Sequence, residues 1–378
     1  MSSVNGSSMA RRTIESVVIA VLLLAGAATA ARAEPYISLR AGVPCASCHV
    51  NQTGGGQRNG FGTAYGLTRL PARPIPLPEG TEPFDGAINS HLSIGADYRG
   101  VNQARFAASG DTDTFATQEG NLYADLKLLP DRLHLCADLS VAPNAASSRE
   151  LFALIDHIPG QLYLKAGRFF APYGWRLLDD DAFIRARTGF TFQAPDDGVE
   201  LGWQPGDFSA ALAVTNGNGG ATDDNTNKRV SMLTTWSHPR VRVGASFASN
   251  RQGDASVLLG GLLAGVKLGS RLVALGEVDA GREENDTLGT TTREIIGYGE
   301  ADLLVGKGMN LKAAFDYLDP DRSRSGDEVN RVSLGVEYAV IPYTQIRLLW
   351  RRTDRPPLVG GVTFEDDREA ILELHLFL

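Results

Sequence analysis

Three reactive side chains sit close together near the start of the chain: Cys45, Cys48 and His49, within Pro44-Cys45-Ala46-Ser47-Cys48-His49. Cys-X-X-Cys-His is an attachment signal for a c-type haem, because two thiols at this spacing can form thioether bonds to the two vinyl groups of one porphyrin. The adjacent imidazole of His49 is then placed to coordinate the iron from the proximal side. The motif predicts one covalent haem c bound through Cys45, Cys48 and His49. Two other uses of the thiols are chemically open, a redox disulfide and a zinc site. Zinc asks for a second Cys or His pair nearby, whereas the next histidine is His91 and the remaining cysteine is Cys136.

The segment before the motif agrees with this chemistry. A polar stretch with Arg11 and Arg12 runs into apolar residues 17–30 and then Ala31-Arg32-Ala33, a small-X-small cleavage site. Residues 1–33 therefore read as a secretory signal peptide, and haem is attached to exported apoprotein outside the cytoplasmic membrane. The formal charge of the whole chain is -8; the leader carries Arg11, Arg12 and Arg32 against Glu15, so the mature chain is near -10. That balance disfavours nucleic acid as a partner.

Residues 34–68 carry the motif and a glycine-rich run, Gly54-Gly55-Gly56, too poor in apolar side chains to form a packed domain alone. The glycines permit either close backbone approach to a cofactor or a flexible connection. Phe61 and Tyr65 are the nearest aromatics, able to cover a haem edge or to anchor the segment. Residues 69–85 contain Pro71, Pro74, Pro76, Pro78 and Pro83 and read as an extended linker.

From residue 86 to 378 the pattern changes to segments of about ten residues alternating apolar and polar, as a membrane barrel requires. Ile88, Ser90, Leu92, Ile94, Ala96 and Tyr98 share one face; Asn89, His91, Ser93, Asp97 and Arg99 share the other. Leu122, Ala124, Leu126 and Leu128 likewise oppose Tyr123, Asp125 and Lys127, and Leu133, Leu135, Ala137 and Leu139 oppose His134, Cys136, Asp138 and Ser140. Short turns recur at Pro130-Asp131, 158–160, Pro205-Gly206, His238-Pro239, Gly269-Ser270, 306–308 and Ile341-Pro342. Longer polar connections fall near 100–118, 143–149, 171–196, 216–227, 250–255, 282–292, 319–328 and 354–367. Seven short turns alternating with eight long loops close about sixteen strands. The predicted fold is all-β, an antiparallel outer-membrane β-barrel with a short N-terminal haem-binding segment. Tyr98, Trp203, Trp236, Tyr298, Tyr317, Tyr338 and Trp350 near strand ends suit interfacial girdles. The last strand alternates to the final residue, with Phe377 penultimate.

A second axial haem ligand is usually Met or His. Residues 50–85 contain neither, and the methionines after the leader are Met232 and Met309, so a distal ligand must come from the barrel or be absent. His91 is the first candidate because alternation points it into the lumen; His134 is the second. The alternative for each is a hydrated lumen histidine. His157 and His238 fall at short turns, where they could dock a soluble partner, and Cys136 reads as a structural thiol. The connection from Ala171 to Pro195 joins Asp179, Asp180 and Asp181 to Arg176, Arg185 and Arg187. Folded inward, it would narrow a pore, its acids attracting a cation and its arginines an anion. Folded outward, it is a solvated loop, as the acids at Asp223-Asp224 and Asp366-Asp367 are expected to be.

Gly167-Arg168-Phe169-Phe170-Ala171-Pro172-Tyr173-Gly174 resembles the Gly-Arg-Phe...Pro-Phe-Gly stretch of the phosphate-selective porin superfamily. The layout as a whole, with a leader, one Cys-X-X-Cys-His and then a porin, resembles the fused cytochrome-porins of the outer membrane, some of which oxidise extracellular ferrous iron. That resemblance implies a monohaem electron conduit of the iron:cytochrome c oxidoreductase type, taking electrons from an extracellular donor such as ferrous iron and passing them to a periplasmic c-type cytochrome. It would sit in the outer membrane among lipid as monomer or homotrimer, its haem segment in the periplasm or the lumen. The alternative is an anion-selective solute-diffusion porin with structural N-terminal cysteines.

Overall fold

The computed structural model describes residues 34–378 apart from 108–109, 131, 145, 224 and 356–366. The signal peptide, Asp131, Asp224, Asp366 and most of the 354–367 connection lie outside the described residues.

Alternating side chains and tight turns produce sixteen antiparallel strands in one closed barrel, each paired with its sequence neighbours and the first with the last. In chain order they are β1 (Leu92–Phe106), β2 (Thr112–Leu129), β3 (Leu133–Ala142), β4 (Ser147–Ile158), β5 (Leu162–Phe169), β6 (Asp196–Trp203), β7 (Phe208–Thr215) and β8 (Arg229–His238). The second half comprises β9 (Val241–Gln252), β10 (Ala255–Leu268), β11 (Leu272–Asn285), β12 (Thr290–Gly306), β13 (Met309–Asp319), β14 (Val329–Ile341), β15 (Thr344–Asp354) and β16 (Asp367–Phe377). Closure leaves no unpaired edge, the condition for strands to stand in hydrocarbon. Register follows the pattern: Leu122, Leu135, Leu139, Trp203, Trp236 and Trp350 are exposed on the outer wall, while Tyr123, Asp125, Cys136 and Asp138 are buried inside. Such an apolar outside is a lipid-facing surface.

Several expectations need correction. The barrel begins at Leu92. The Asn89 side chain accepts from the backbone N–H of His91 (2.8 Å) and of Leu92 (3.0 Å), which turns residues 88–91 out of the strand. The face assignments for Ile88 through His91 therefore do not hold. Three connections at the long-loop end are shorter than expected, leaving only residues 107–111, 253–254 and 286–289 outside strands. Charged pairs such as Arg251–Asp286 (2.6 Å) hold these hairpins together beyond the apolar belt. Tyr298 packs against a lumen cluster instead of joining a girdle. Phe377 also faces inward, because Leu374 and Leu376 take the outward positions. Its ring carries the Arg58 guanidinium 4.4 Å from the centroid.

Candidate functional site inside the barrel

Residues 34–59 pack against lumen-facing side chains of the barrel wall, and residues 60–68 follow with Gly60, Phe61, Ala64 and Thr68 exposed. Pro35 opens a short helix, α1 (Pro35–Ala41), which ends at Gly42 with φ 73°. That conformation favours glycine, and a side chain there would also press on the backbone of Pro239. Tyr36 donates to Glu337 of β14 (2.6 Å) and Arg40 donates to Asn310 of β13 (2.7 Å), fixing α1 to the lumen wall. Ile37 and Leu39 join Trp175, Leu177, Phe183, Ile184 and wall residues such as Leu263 and Ile296 in one buried cluster.

A 3-10 turn, Cys45–Ser47, carries the motif. The chain then doubles back, His49 pairing with Arg58, and continues into α2 (Gly60–Thr68). Asn59 caps α2 by accepting from Gly62 N–H (3.0 Å), while its amide reaches the Ala46 carbonyl (3.3 Å). A Cβ on Gly62 would stand 2.0 Å from the Cys48 carbonyl oxygen, so only glycine lets the helix lie on the motif. Gly54, at φ +89°, lies against Cys45 less tightly, a Cβ there standing 3.1 Å from the Cys45 Cβ. The glycine run is thus close packing, and the segment is ordered by the barrel around it. Asn51 donates to Glu150 of β4 (2.8 Å) and accepts from Lys165 of β5 (3.0 Å), all three buried.

The turn at 44–49 separates two cavities. One, about 620 Å³, is lined by His49 with Asp125, His134, Asp156 and His157. The other, about 300 Å³, is lined by Cys45, Cys48 and His49 together with apolar Ile37, Tyr65, Trp175 and Leu263. His49 borders both. His49 is 5 % exposed, with the Gly56 backbone as the hydrogen-bonding group beside its ring. Burial, with Arg58 nearby, pushes its pKa down to about 4. The imidazole is therefore neutral, the form that coordinates a metal. Cys45 and Cys48 are free thiols, both partly exposed.

These residues fit a covalent haem: two thiols and a neutral imidazole stand on one turn, beside cavities of the size that hold cofactors. They fit zinc less well, since no three His, Cys, Asp or Glu side chains converge as metal ligands among the described residues.

The other sequence candidates separate. His91 is exposed at the rim, its Nδ1 2.9 Å from the Lys127 carbonyl, and lies on neither cavity wall. His134 shares a cavity with His49 and pairs through Nδ1 with Asp125 (2.8 Å). Cys136 packs in a buried cluster with Phe152, Leu154, Tyr163 and Phe169. The connection after β5 folds inward, with Phe183–Ala186 forming a single helical turn, α3. Its acids are engaged: Asp179 by Arg351, Asp180 by Arg185 (3.1 Å), and Asp181 by Arg351 (3.6 Å). Arg176 donates to Gly54 O (2.7 Å) and to Phe170 O (2.9 Å), clamping the loop to the haem-motif segment. Sequence reasoning missed Arg242, whose guanidinium donates to Val43 O (2.9 Å) and lies 3.6 Å from Cys45 Sγ. It also missed His375, buried and 2.9 Å from Asp97. Alternation places both on the lumen face, which is the signal that could have found them.

No family model matches the chain, and no curated protein matches it. Solved structures do. OmpT of Vibrio cholerae, described in a trimer form, superimposes with TM-score 0.60 at 10 % identity, covering 76 % of this chain and 100 % of that one. An anion-selective porin from Comamonas acidovorans gives TM-score 0.59 at 11 % identity over 76 % and 100 % of the two chains. The outer-membrane channel DcaP of Acinetobacter baumannii gives 0.53 at 8 %, over 76 % and 98 %. The chain therefore has a porin-like fold.

Proposed function

We propose that this chain is an outer-membrane monohaem c-type cytochrome housed in a porin-like barrel. In this reading it transfers electrons between an extracellular donor, ferrous iron among the candidates, and a periplasmic c-type cytochrome. The observation that supports the reading is that the Cys45–His49 turn borders two cavities lined both by the N-terminal segment and by barrel strands. The bound haem would supply one-electron redox chemistry. The chain would supply attachment through Cys45 and Cys48, a neutral imidazole at His49, and, on the smaller cavity, the apolar side chains of Ile37, Trp175 and Leu263. The inward loop and α1 share one apolar core, which suits an insulating wall better than a solute path.

The test is the visible spectrum of the matured outer-membrane protein, oxidised and then treated with ferrous iron without oxygen. Sharp c-type bands appearing on iron addition are expected. Bands that need a strong chemical reductant would remove iron as donor, and no bands would leave a porin.

The second reading, a solute-diffusion porin selective for anions, is supported by the likeness to the Comamonas porin and by lumen arginines such as Arg331 and Arg351. Single-channel conductance with chloride separates it from the first. Homotrimerisation, suggested by the trimer form of OmpT, is testable by native mass in detergent.

A further inference from the structure

Charge around the short-turn end of the barrel is divided in two. The turns joining β8 to β9, β10 to β11 and β12 to β13 carry exposed Arg240, Arg271 and Lys307. Over the next turn, between β14 and β15, the linker bonds through Ala72 N–H to Ala339 O (2.8 Å) and Arg73 N–H to Val340 O (3.2 Å), adding exposed Arg69 and Arg73. Residues 237–243, 266–273, 304–310, 339–346 and 63–75 contain no Asp or Glu. On the other half of the same rim, Asp156 and Asp207 stand among Lys127 and Arg132, and Asp85 lies at the boundary beside Tyr343. The arc from Arg240 to Arg73 is thus basic, bounded at the β14–β15 turn by Glu82 and Asp85, on a chain of net charge -8.

The basic arc adjoins the motif. The cavity lined by Cys45 and Cys48 is bounded by Ser237 and Pro239, in the segment that carries Arg240, and by Gly206 and Asp207 of the preceding turn. Helix α1 packs against β10 and β11, the strands that flank Arg271. A partner seated on these turns would stand beside the thiol-lined cavity.

We propose that this arc is the docking surface for a soluble electron carrier with an acidic face. The proposal rests on the electron-transfer reading above and adds where the carrier binds and with which charge. Like charges on five neighbouring exposed positions steer an oppositely charged protein and repel a basic one.

The test uses the full mature protein in nanodiscs of zwitterionic phosphatidylcholine, with binding of two soluble monohaem cytochromes, one acidic and one basic, measured directly. Arg240→Gln, Arg271→Gln and Lys307→Gln are combined, and Lys307→Glu alone serves as a milder variant. At low ionic strength the combined variant should bind the acidic cytochrome about tenfold more weakly, with the difference vanishing as salt shortens the screening length. Equal binding by wild type and variant, or wild-type preference for the basic cytochrome, overturns the proposal. So does a difference that appears only when anionic phospholipid is added, which would make the arc a headgroup site. Binding is read without electron transfer, so a preparation lacking covalent haem ends the functional reading while the surface is still decided.

Discussion

His49 shows how one residue couples burial, charge and cofactor chemistry. A buried imidazole loses the hydration that stabilises its charged form, and the neighbouring Arg58 opposes that charge further. Its folded pKa of about 4 lies below the ordinary histidine value of 6.5, so the unfolded chain takes up the proton first as pH falls. Docking of the haem-free segment is therefore strongest above pH 6.5 and weakens as pH falls toward 4, by up to about 3 kcal/mol. Limited proteolysis of residues 34–68 across that range checks the sign; uniform protection down to pH 4 would contradict it. Cys45→Ala with Cys48→Ala should abolish haem retained on a denaturing gel. The two histidines considered as distal ligands should also differ. His91→Ala, at the rim, is expected to leave the haem bands in place, whereas His134→Ala, on the cavity wall with His49, is expected to change them. The Cys-X-X-Cys-His spacing itself was legible in the sequence, because its residues are adjacent in the chain. The orientation of His91 was not, because the Asn89 side chain delays the start of the strand to Leu92, beyond the point alternation implied.

At the scale of elements, the N-terminal segment has little core of its own and takes its order from the wall around it. Asn59 joins helix cap to motif, Arg176 joins motif segment to inward loop, and Arg242 joins both to β9. Gly62→Ala would drive a methyl group into the Cys48 carbonyl, and the resulting displacement of α2 should cost on the order of 1–3 kcal/mol. The expected result is faster proteolysis of the segment with an unchanged barrel by heat-dependent gel mobility. Arg176→Ala should loosen the segment and the 170–195 loop together. The strands were readable from alternation because each has one face in lipid and one in the lumen. The inward fold of the loop was not readable, since its charges suit water equally well; the partners that hold it, Arg331 and Arg351, come from strands more than a hundred residues away.

At the scale of the whole molecule, the barrel wall packs against its own N-terminal segment, and the lumen is occupied by an apolar cluster shared between α1, the inward loop and the wall. The intact protein should therefore show little ion conductance in a planar bilayer, while removal of residues 34–68 should open a large pore. A wild-type conductance equal to that of the deletion variant would remove the segment as a plug. The sequence by itself determined the strand count, which strand residues face lipid and the Cys-X-X-Cys-His spacing, because these depend on periodicity and on groups adjacent in the chain. Tertiary structure alone decided that the Cys45–His49 turn packs beside Arg242 of the barrel wall, that the acidic triplet is matched by arginines, and that scattered cations gather on one arc of the rim. These depend on ring closure, which brings together residues that no local pattern relates.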